Sequence, residues 1–243
     1  MRIISYIPIR SGSRGIKDKN ILDMAGKPLF AWSLFFAKRI SSPQDIIVSS
    51  NSISYIEIAS KFNISVEKRP DELASDNATT DSAIMYTLNR LLKNNLVSEN
   101  DYFCLLQATS PIRRKLLTDK IKNLLSTNSY DSIISINRET SFEWNYTDNS
   151  FERISPTYDL EQRPMRQKIF QNKEERLVEN GSIYCSRISS IINSNQRVSG
   201  NIGFIDCNDY EKLEVDSIDQ YSLINNIMKY EIKNGNPNNF VFD

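Results

Sequence analysis

Apolar residues in this chain fall in short unbroken runs, separated by stretches where they recur at helical spacing. Residues 3–9 are nearly all apolar and read as a first β-strand, buried on both faces as a central strand of a parallel sheet must be. Similar runs predict strands at 45–49, 64–67, 102–106 and 132–136. Helices are expected between them. One opens at Lys27-Pro28 and runs to about Arg39, with the proline near its first turn. One is capped by Asn51 and turns Ile53, Ile56, Ile58 and Phe62 inward. Another is capped by Thr79 or Thr80 and carries Ile84, Leu88, Leu91 and Leu92, and a fourth covers 116–125. This alternation predicts an α/β fold, a three-layer α/β/α sandwich around a mostly parallel sheet.

The rhythm breaks between about Glu139 and Arg176, where Trp144, prolines and many polar residues follow no clean period. Residues 139–178 therefore read as an insertion of short strands and loops within one domain spanning 1–243, an arm able to reach a second subunit. Strand character returns at 180–185 and 203–207. A last helix starts at Asp216 or Ser217, with Ile218, Tyr221, Leu223, Ile224, Ile227 and Met228 as its apolar residues. The Asn-rich tail, 234–243, reads as loose.

Composition narrows the chemistry. With 30 Lys+Arg against 30 Asp+Glu, no whole-chain attraction to nucleic acid or to a membrane surface is expected, and basic residues must act locally. The chain has no histidine, so the commonest general base and zinc ligand are missing. Cys104, Cys185 and Cys207 are widely spaced, lack a CxxC pattern and read as buried thiols of a reducing cytosol. No signal peptide and no apolar run of membrane-spanning length is visible, which makes the cytoplasm the expected location.

The local basic cluster directly follows the first strand. Arg10, Arg14, Lys17 and Lys19 are interleaved with small residues in Arg10-Ser11-Gly12-Ser13-Arg14-Gly15-Ile16-Lys17-Asp18-Lys19-Asn20. Such a loop can wrap backbone N–H groups round an anion while its cations neutralise charge. At the end of a first strand in an α/β protein the natural anion is a nucleotide phosphate. A solvated basic turn is the competing reading.

The loop 8–20 and Gly26-Lys27-Pro28-Leu29 are joined by Arg69-Pro70-Asp71-Glu72-Leu73-Ala74-Ser75-Asp76 with Ala78-Thr79-Thr80, and by Leu105-Leu106-Gln107-Ala108-Thr109-Ser110-Pro111-Ile112-Arg113. Arg166-Gln167, Glu179-Asn180-Gly181-Ser182-Ile183-Tyr184 and Glu214-Val215-Asp216-Ser217 follow. In this order the blocks resemble the CMP-sialic acid synthetases (N-acylneuraminate cytidylyltransferases) along nearly the whole chain. Three positions depart from that pattern. Ser50-Asn51 replaces the usual Thr-Asp and is expected to affect a helix cap more than chemistry; Arg14 replaces Lys; Glu214 replaces Asp.

The resemblance implies a Rossmann-like nucleotidyltransferase fold with a small dimerisation insertion. It also implies a reaction in which CTP and an α-keto acid sugar give CMP-sugar and pyrophosphate, for use in cell-surface polysaccharide synthesis. The anomeric hydroxyl attacks the α-phosphorus in line, so catalysis is mostly positioning and charge stabilisation. Arg10, Lys19 and Asp216 are the implied catalytic residues. CTP is assigned to Arg10, Arg14, Asn20, Arg69, Ala78, Thr80 and Gln107, with Thr80 alternatively a pure cap and Arg69 on either the cytosine carbonyl or a phosphate. The sugar is assigned to Gln107, Arg166, Gln167 and Asn180, with Arg166 suited to the sugar carboxylate and able to serve a neighbouring subunit. Asp216 and Glu214 alternate on an extended segment, point to one side, and suit Mg²⁺, either by direct ligation or, for Glu214, through water. A homodimer is implied. N-Acetylneuraminic, legionaminic and pseudaminic acid all stay open as substrates, Trp144 lines either the sugar pocket or the dimer interface, and Trp32, Phe35 and Phe36 read as core. A non-catalytic nucleotide-binding module is the reading from another class. A glycosyltransferase would show Asp-x-Asp after a central strand, where this chain has Leu106-Gln107-Ala108-Thr109.

Overall fold

The computed structural model describes residues 2–13, 15–147, 153–171 and 175–242. Its centre is a seven-stranded sheet built from β1 (Ile3–Pro8), β4 (Ile46–Ser50), β5 (Ser65–Lys68), β6 (Tyr102–Leu106), β7 (Ser132–Glu139), β10 (Arg176–Arg187) and β11 (Ile202–Asp206). The spatial order is β11-β7-β10-β6-β1-β4-β5. All neighbours are parallel except β10, which runs antiparallel to both β6 and β7. The mostly parallel α/β sheet expected from the alternation is therefore present.

Period-two alternation along the central strands sorts the two halves of the core. Ile3 and Ile7 of β1 and Tyr102, Cys104 and Leu106 of β6 face one layer. Ile4 and Tyr6 with Phe103 and Leu105 face the other. The first layer holds α1 (Leu29–Ile40), α2 (Ile53–Ser60) and α4 (Leu116–Ser126); the second holds α3 (Thr80–Lys93) and α6 (Ile188–Ser194). α1 is apolar almost all round because it is buried on two sides. Phe30, Leu34 and Phe36 pack on the sheet, while Leu29 and Trp32 meet α7 (Ile218–Lys233) and the C-terminal tail. A two-residue hairpin, β2 (Asp23–Met24) and β3 (Lys27–Pro28), precedes α1, so Pro28 caps the helix instead of lying inside it.

Three expectations are corrected. Ser52, not Asn51, caps α2; Tyr55 and Ala59 are its buried residues, and Ile53 is exposed. The tail is not loose. Phe240 and Val241 are buried, the Val241 N–H donates to the Arg113 carbonyl, and the Lys115 N–H donates to the Asn239 carbonyl. The apolar face of α7 centres on Ile224 and Met228, whereas Ile218 and Leu223 are exposed.

The predicted irregular segment leaves the sheet at the end of β7 and returns where Arg176 of β10 pairs with Glu139 of β7. It contains β8 (Trp144–Tyr146) and β9 (Ile154–Pro156), paired as a separate antiparallel ribbon, and the short α5 (Arg166–Gln171). Residues 148–152 and 172–174 lie outside the described residues. Among the described residues, no helix is long and apolar enough to cross a membrane.

Candidate active site

β4 and β5 lie to one side of β1, and β6 lies to the other. The order reverses there, and chains leaving the carboxyl ends of strands on the two sides of such a point leave a crevice for a ligand. The crevice is a cavity of about 400 Å³ bounded by Pro8 and Arg10 after β1, Arg69 after β5, Thr80 at the start of α3, and Gln107 after β6. Lys19, Asn20, Ala78 and Asp216 also line it. The assigned nucleotide residues Arg10, Asn20, Arg69, Ala78, Thr80 and Gln107 thus share one cavity with the assigned catalytic Lys19 and Asp216. Arg14 lies outside the described residues.

Each side chain is held for a local reason. The Arg10 Nη1 donates to the Ala74 carbonyl (3.1 Å), the Ser75 carbonyl (3.2 Å) and Asp76 Oδ1 (3.0 Å), which pins the basic loop to the segment before α3. Asn20 is buried, and its Nδ2 donates to the Arg10 carbonyl (2.9 Å), bringing the two ends of the loop together. Thr79 is the helix cap, with Oγ1 accepting from the Ser82 N–H, and this leaves the Thr80 hydroxyl uncommitted to capping. Arg69 is buried at the cavity wall with its Nε unpartnered among the described residues. A buried guanidinium edge without a partner is costly.

The acidic segment reaches the site from the far end of the chain. Lys19 Nζ donates to Asp216 Oδ1 at 2.8 Å across 197 positions of sequence. Gly15 makes this approach possible: a Cβ there would lie 2.5 Å from the Asp216 carbonyl oxygen. On the other side, Gln220 Oε1 accepts from the Asp216 and Ser217 N–H groups, and Ser217 caps α7 through a reciprocal capping box.

Asp216 also borders a second cavity of about 540 Å³ lined by Glu139, Glu179, Asn180, Tyr184, Lys212 and Glu214 among others. The assigned Asn180 and Glu214 are therefore next door to the nucleotide cavity, and Glu214 shares a side with Asp216 as its spacing predicts. Glu214 Oε1 accepts from Thr109 Oγ1 (2.7 Å). The Asn180 amide is engaged by the protein: Oδ1 accepts from Ser135 Oγ (2.5 Å) and the Ser182 N–H (3.1 Å), and Nδ2 donates to Asn137 Oδ1 (2.8 Å). It shapes a bulge in β10, where the pairing with β7 shifts between Glu179 and Tyr184. Burial, helped by a hydrogen bond donated to Glu179, raises the Tyr184 phenol above its ordinary range and keeps it a donor. Burial also pushes the Cys207 thiol up to about 12, so it is no nucleophile.

Arg166 and Gln167 do not line either cavity. They are exposed on α5 in the arm, where the Arg166 guanidinium stands 5.7 Å from the centre of the Phe142 ring. No cluster of three or more potential metal ligands occurs among the described residues. Sequence reasoning missed Asn51, whose Oδ1 accepts from the Ser11 N–H (3.0 Å) and whose Nδ2 donates to Asp71 Oδ1 (3.2 Å). The departure read as a helix cap is a strut of the basic loop. The missed signal was the position itself, at the carboxyl end of a strand beside β1.

The cytidylyltransferase family model matches residues 4–198. An N-acylneuraminate cytidylyltransferase of Escherichia coli O18:K1:H7 is 32% identical over 138 residues, which are 56% of this chain and 32% of that protein. A pseudaminic acid cytidylyltransferase of Campylobacter jejuni is 34% identical over 116 residues, 47% of this chain and 49% of that one. The matched segments thus span between a third and a half of these relatives' lengths. Among solved structures, a CMP:2-keto-3-deoxy-manno-octonic acid synthetase complexed with CTP superposes with a TM-score of 0.62 at 14% identity, covering 95% of this chain and 100% of that one, a likeness of fold.

Proposed function

This chain belongs to the cytidylyltransferase family, and from that premise we propose that it transfers CMP from CTP to the anomeric hydroxyl of a nonulosonic acid, N-acetylneuraminic acid or a close analogue, with release of pyrophosphate. One observation carries the reading: Arg10, Lys19 and Arg69 converge with Thr80 and Gln107 on one cavity, and Asp216 stands on its border with a second. A triphosphate in the first cavity and a sugar in the second would place their reacting atoms at that border.

Arg10 and Lys19 hold the triphosphate, Arg69 meets the cytosine carbonyl, and Thr80 and Asn20 contact the nucleoside. Arg14, from the same loop, joins the phosphate contacts. Ala78 leaves room for the base, and Gln107, whose side-chain amide has no hydrogen bond among the described residues, bridges to the sugar. The anomeric hydroxyl gives up its proton to water as its oxygen attacks the α-phosphorus, the bond to the bridging oxygen breaks, and the electron pair leaves with pyrophosphate. The Asp216 carboxylate is exposed and hard, with Oδ1 on Lys19, and would be the residue to hold a Mg²⁺ ion. Glu214 would help hold it through water. Mg²⁺, when bound, supplies neutralisation of charge on the phosphates and a lower pKa for the attacking hydroxyl.

The second cavity carries Glu139, Glu179, Glu214 and Asp216 against Lys212. An acid sugar entering it needs another cation for its carboxylate. Arg166, with Gln167, fits that need when the arm of a second copy supplies it, which is the reason to propose a homodimer. The exposed Trp144, Tyr146 and Ile154 on the arm fit the subunit contact. Three free cysteines agree with a cytoplasmic setting. Legionaminic or pseudaminic acid with the same chemistry is the second reading, and the similarity to the Campylobacter protein supports its pseudaminic member.

The test is pyrophosphate release from CTP and Mg²⁺ with a panel of nonulosonic acids. Release with at least one acid, and none without acid, is expected. CTP binding without release for every acid would overturn the reaction in favour of a nucleotide-binding module.

A further inference from the structure

The Ser110-Pro111-Ile112-Arg113 run ends in an arginine that has no part in the reaction above. Arg113 is 1% exposed and heads the fully buried side chains by volume among the described residues. The nearby carboxylate, Glu211, is taken by Arg114. Arg113 instead turns its two Nη groups to neutral oxygens, while its Nε has no partner among the described residues. Nη1 donates to Ser33 Oγ (2.9 Å), and Nη2 donates to the Gln107 carbonyl (2.9 Å) and the Ser182 carbonyl (3.0 Å). Ser33 Oγ donates in turn to the Gln107 carbonyl (2.9 Å), and the Gln107 N–H donates to the Ser182 carbonyl (3.2 Å). The ring of Phe36 covers the guanidinium at 5.6 Å.

These two carbonyls belong to the two walls of the site. Gln107 lines the nucleotide cavity, and Ser182 follows Asn180 and Gly181, which line the second. β6 and β10 part here, just beyond the Leu106–Ile183 pair, so the Gln107 carbonyl has run out of ladder partners. A planar fork with several donors reaches all three acceptors at once, which an ammonium cannot do. Burial lowers the Arg113 pKa to about 10, so the full donor set persists at neutral pH. An apolar side chain would fill the space at lower cost, and that makes the hydrogen bonds themselves the reason for a guanidinium.

We propose that Arg113 is a positioning residue: by clamping the end of β6 to the bulge of β10 it sets the separation of the nucleotide and sugar cavities, and hence the in-line meeting of the two substrates. This rests on the reaction proposed above. A clamp of this kind governs the chemical step more than the binding of either substrate alone.

The experiment compares wild type, Arg113→Lys and Ser33→Ala by thermal unfolding, CTP calorimetry and steady-state kinetics well below the unfolding midpoint. Arg113→Lys is expected to bind CTP within about threefold of wild type while kcat falls about 10- to 100-fold, the worth of about one charged hydrogen bond. Ser33→Ala, which removes an acceptor of Arg113 and a donor to the Gln107 carbonyl but leaves both carbonyls in place, is expected to move kcat in the same direction by a few-fold. A merely structural role would lower the unfolding midpoint and leave kcat per folded site unchanged. That result, or a kcat loss matched by equal loss of CTP affinity, would overturn the proposal. If Arg113→Lys does not fold, Ser33→Ala decides by the same criteria. A wild-type chain that releases no pyrophosphate refutes the reaction itself, and the wild-type arm of the experiment reads that separately.

Discussion

At the scale of single residues, the site is a set of side chains with divided duties. Lys19 is only 13% exposed at its side chain, whereas its partner Asp216 is 61% exposed. The lysine is therefore fixed by its surroundings and the carboxylate is the member able to turn to a ligand. Lys19→Ala should lower kcat about 10²- to 10³-fold, as loss of a preorganised contact to developing charge does. Circular dichroism and the unfolding midpoint should stay near wild type, because the Asp216 carboxylate left without its partner is open to water; a variant with wild-type turnover would remove Lys19 from the chemistry. Gly15 is sensitive for a steric reason. Its methyl equivalent would collide with the Asp216 carbonyl, so Gly15→Ala must push apart the basic loop and the acidic segment. A displacement of that order can cost about 10²-fold in rate, and kcat/KM for Gly15→Ala should show it while the fold survives. The cations and carboxylates themselves were legible in the sequence, because their chemistry is written in residue type. Asn51 and Arg113 were not, because their duty is to hold backbone carbonyls or loop N–H groups, and that depends on which strands end side by side.

At the scale of elements, the strands and helices that flank the cavity follow from local pattern. β6 was expected at its observed limits, and the starts of α3 and α7 were expected within one or two residues. The tail was misread for a definite reason. Its asparagines look solvent-seeking, yet Asn236 Oδ1 accepts from the Phe240 N–H and Asn238 Nδ2 donates to the buried Glu231, so they fold the chain back on itself and bury Phe240. The residue pairs with Arg114 through a bridge and packs against Phe242 and Tyr210. Phe240→Ala should lower stability by about 3–5 kcal/mol. Urea unfolding would show this as a lower midpoint at unchanged slope, and an unchanged midpoint would return the tail to the surface.

At the scale of the whole molecule, the unanswered demand is a cation for the second cavity. If the arm of a second copy meets it, subunits carrying Lys19→Ala and subunits carrying Arg166→Ala are each inactive alone. Mixed and reassociated, they form heterodimers with one intact site, and activity should return to a fraction of wild type. No recovery on mixing, with exchange verified by mass, would place Arg166 in its own subunit's site or outside catalysis. The sequence by itself determined the alternation of strands and helices, the chemistry of the loop after β1 and the break of rhythm at the arm, since each of these is expressed over a dozen neighbouring residues. Only tertiary structure decided that β10 enters the sheet antiparallel between β6 and β7, that Asp216 stands 2.8 Å from Lys19, and that a buried arginine joins two cavity walls. Those contacts join segments far apart along the chain, and hydrophobic periodicity, which reports only the face a residue turns inward, carries no information about which distant face it will meet.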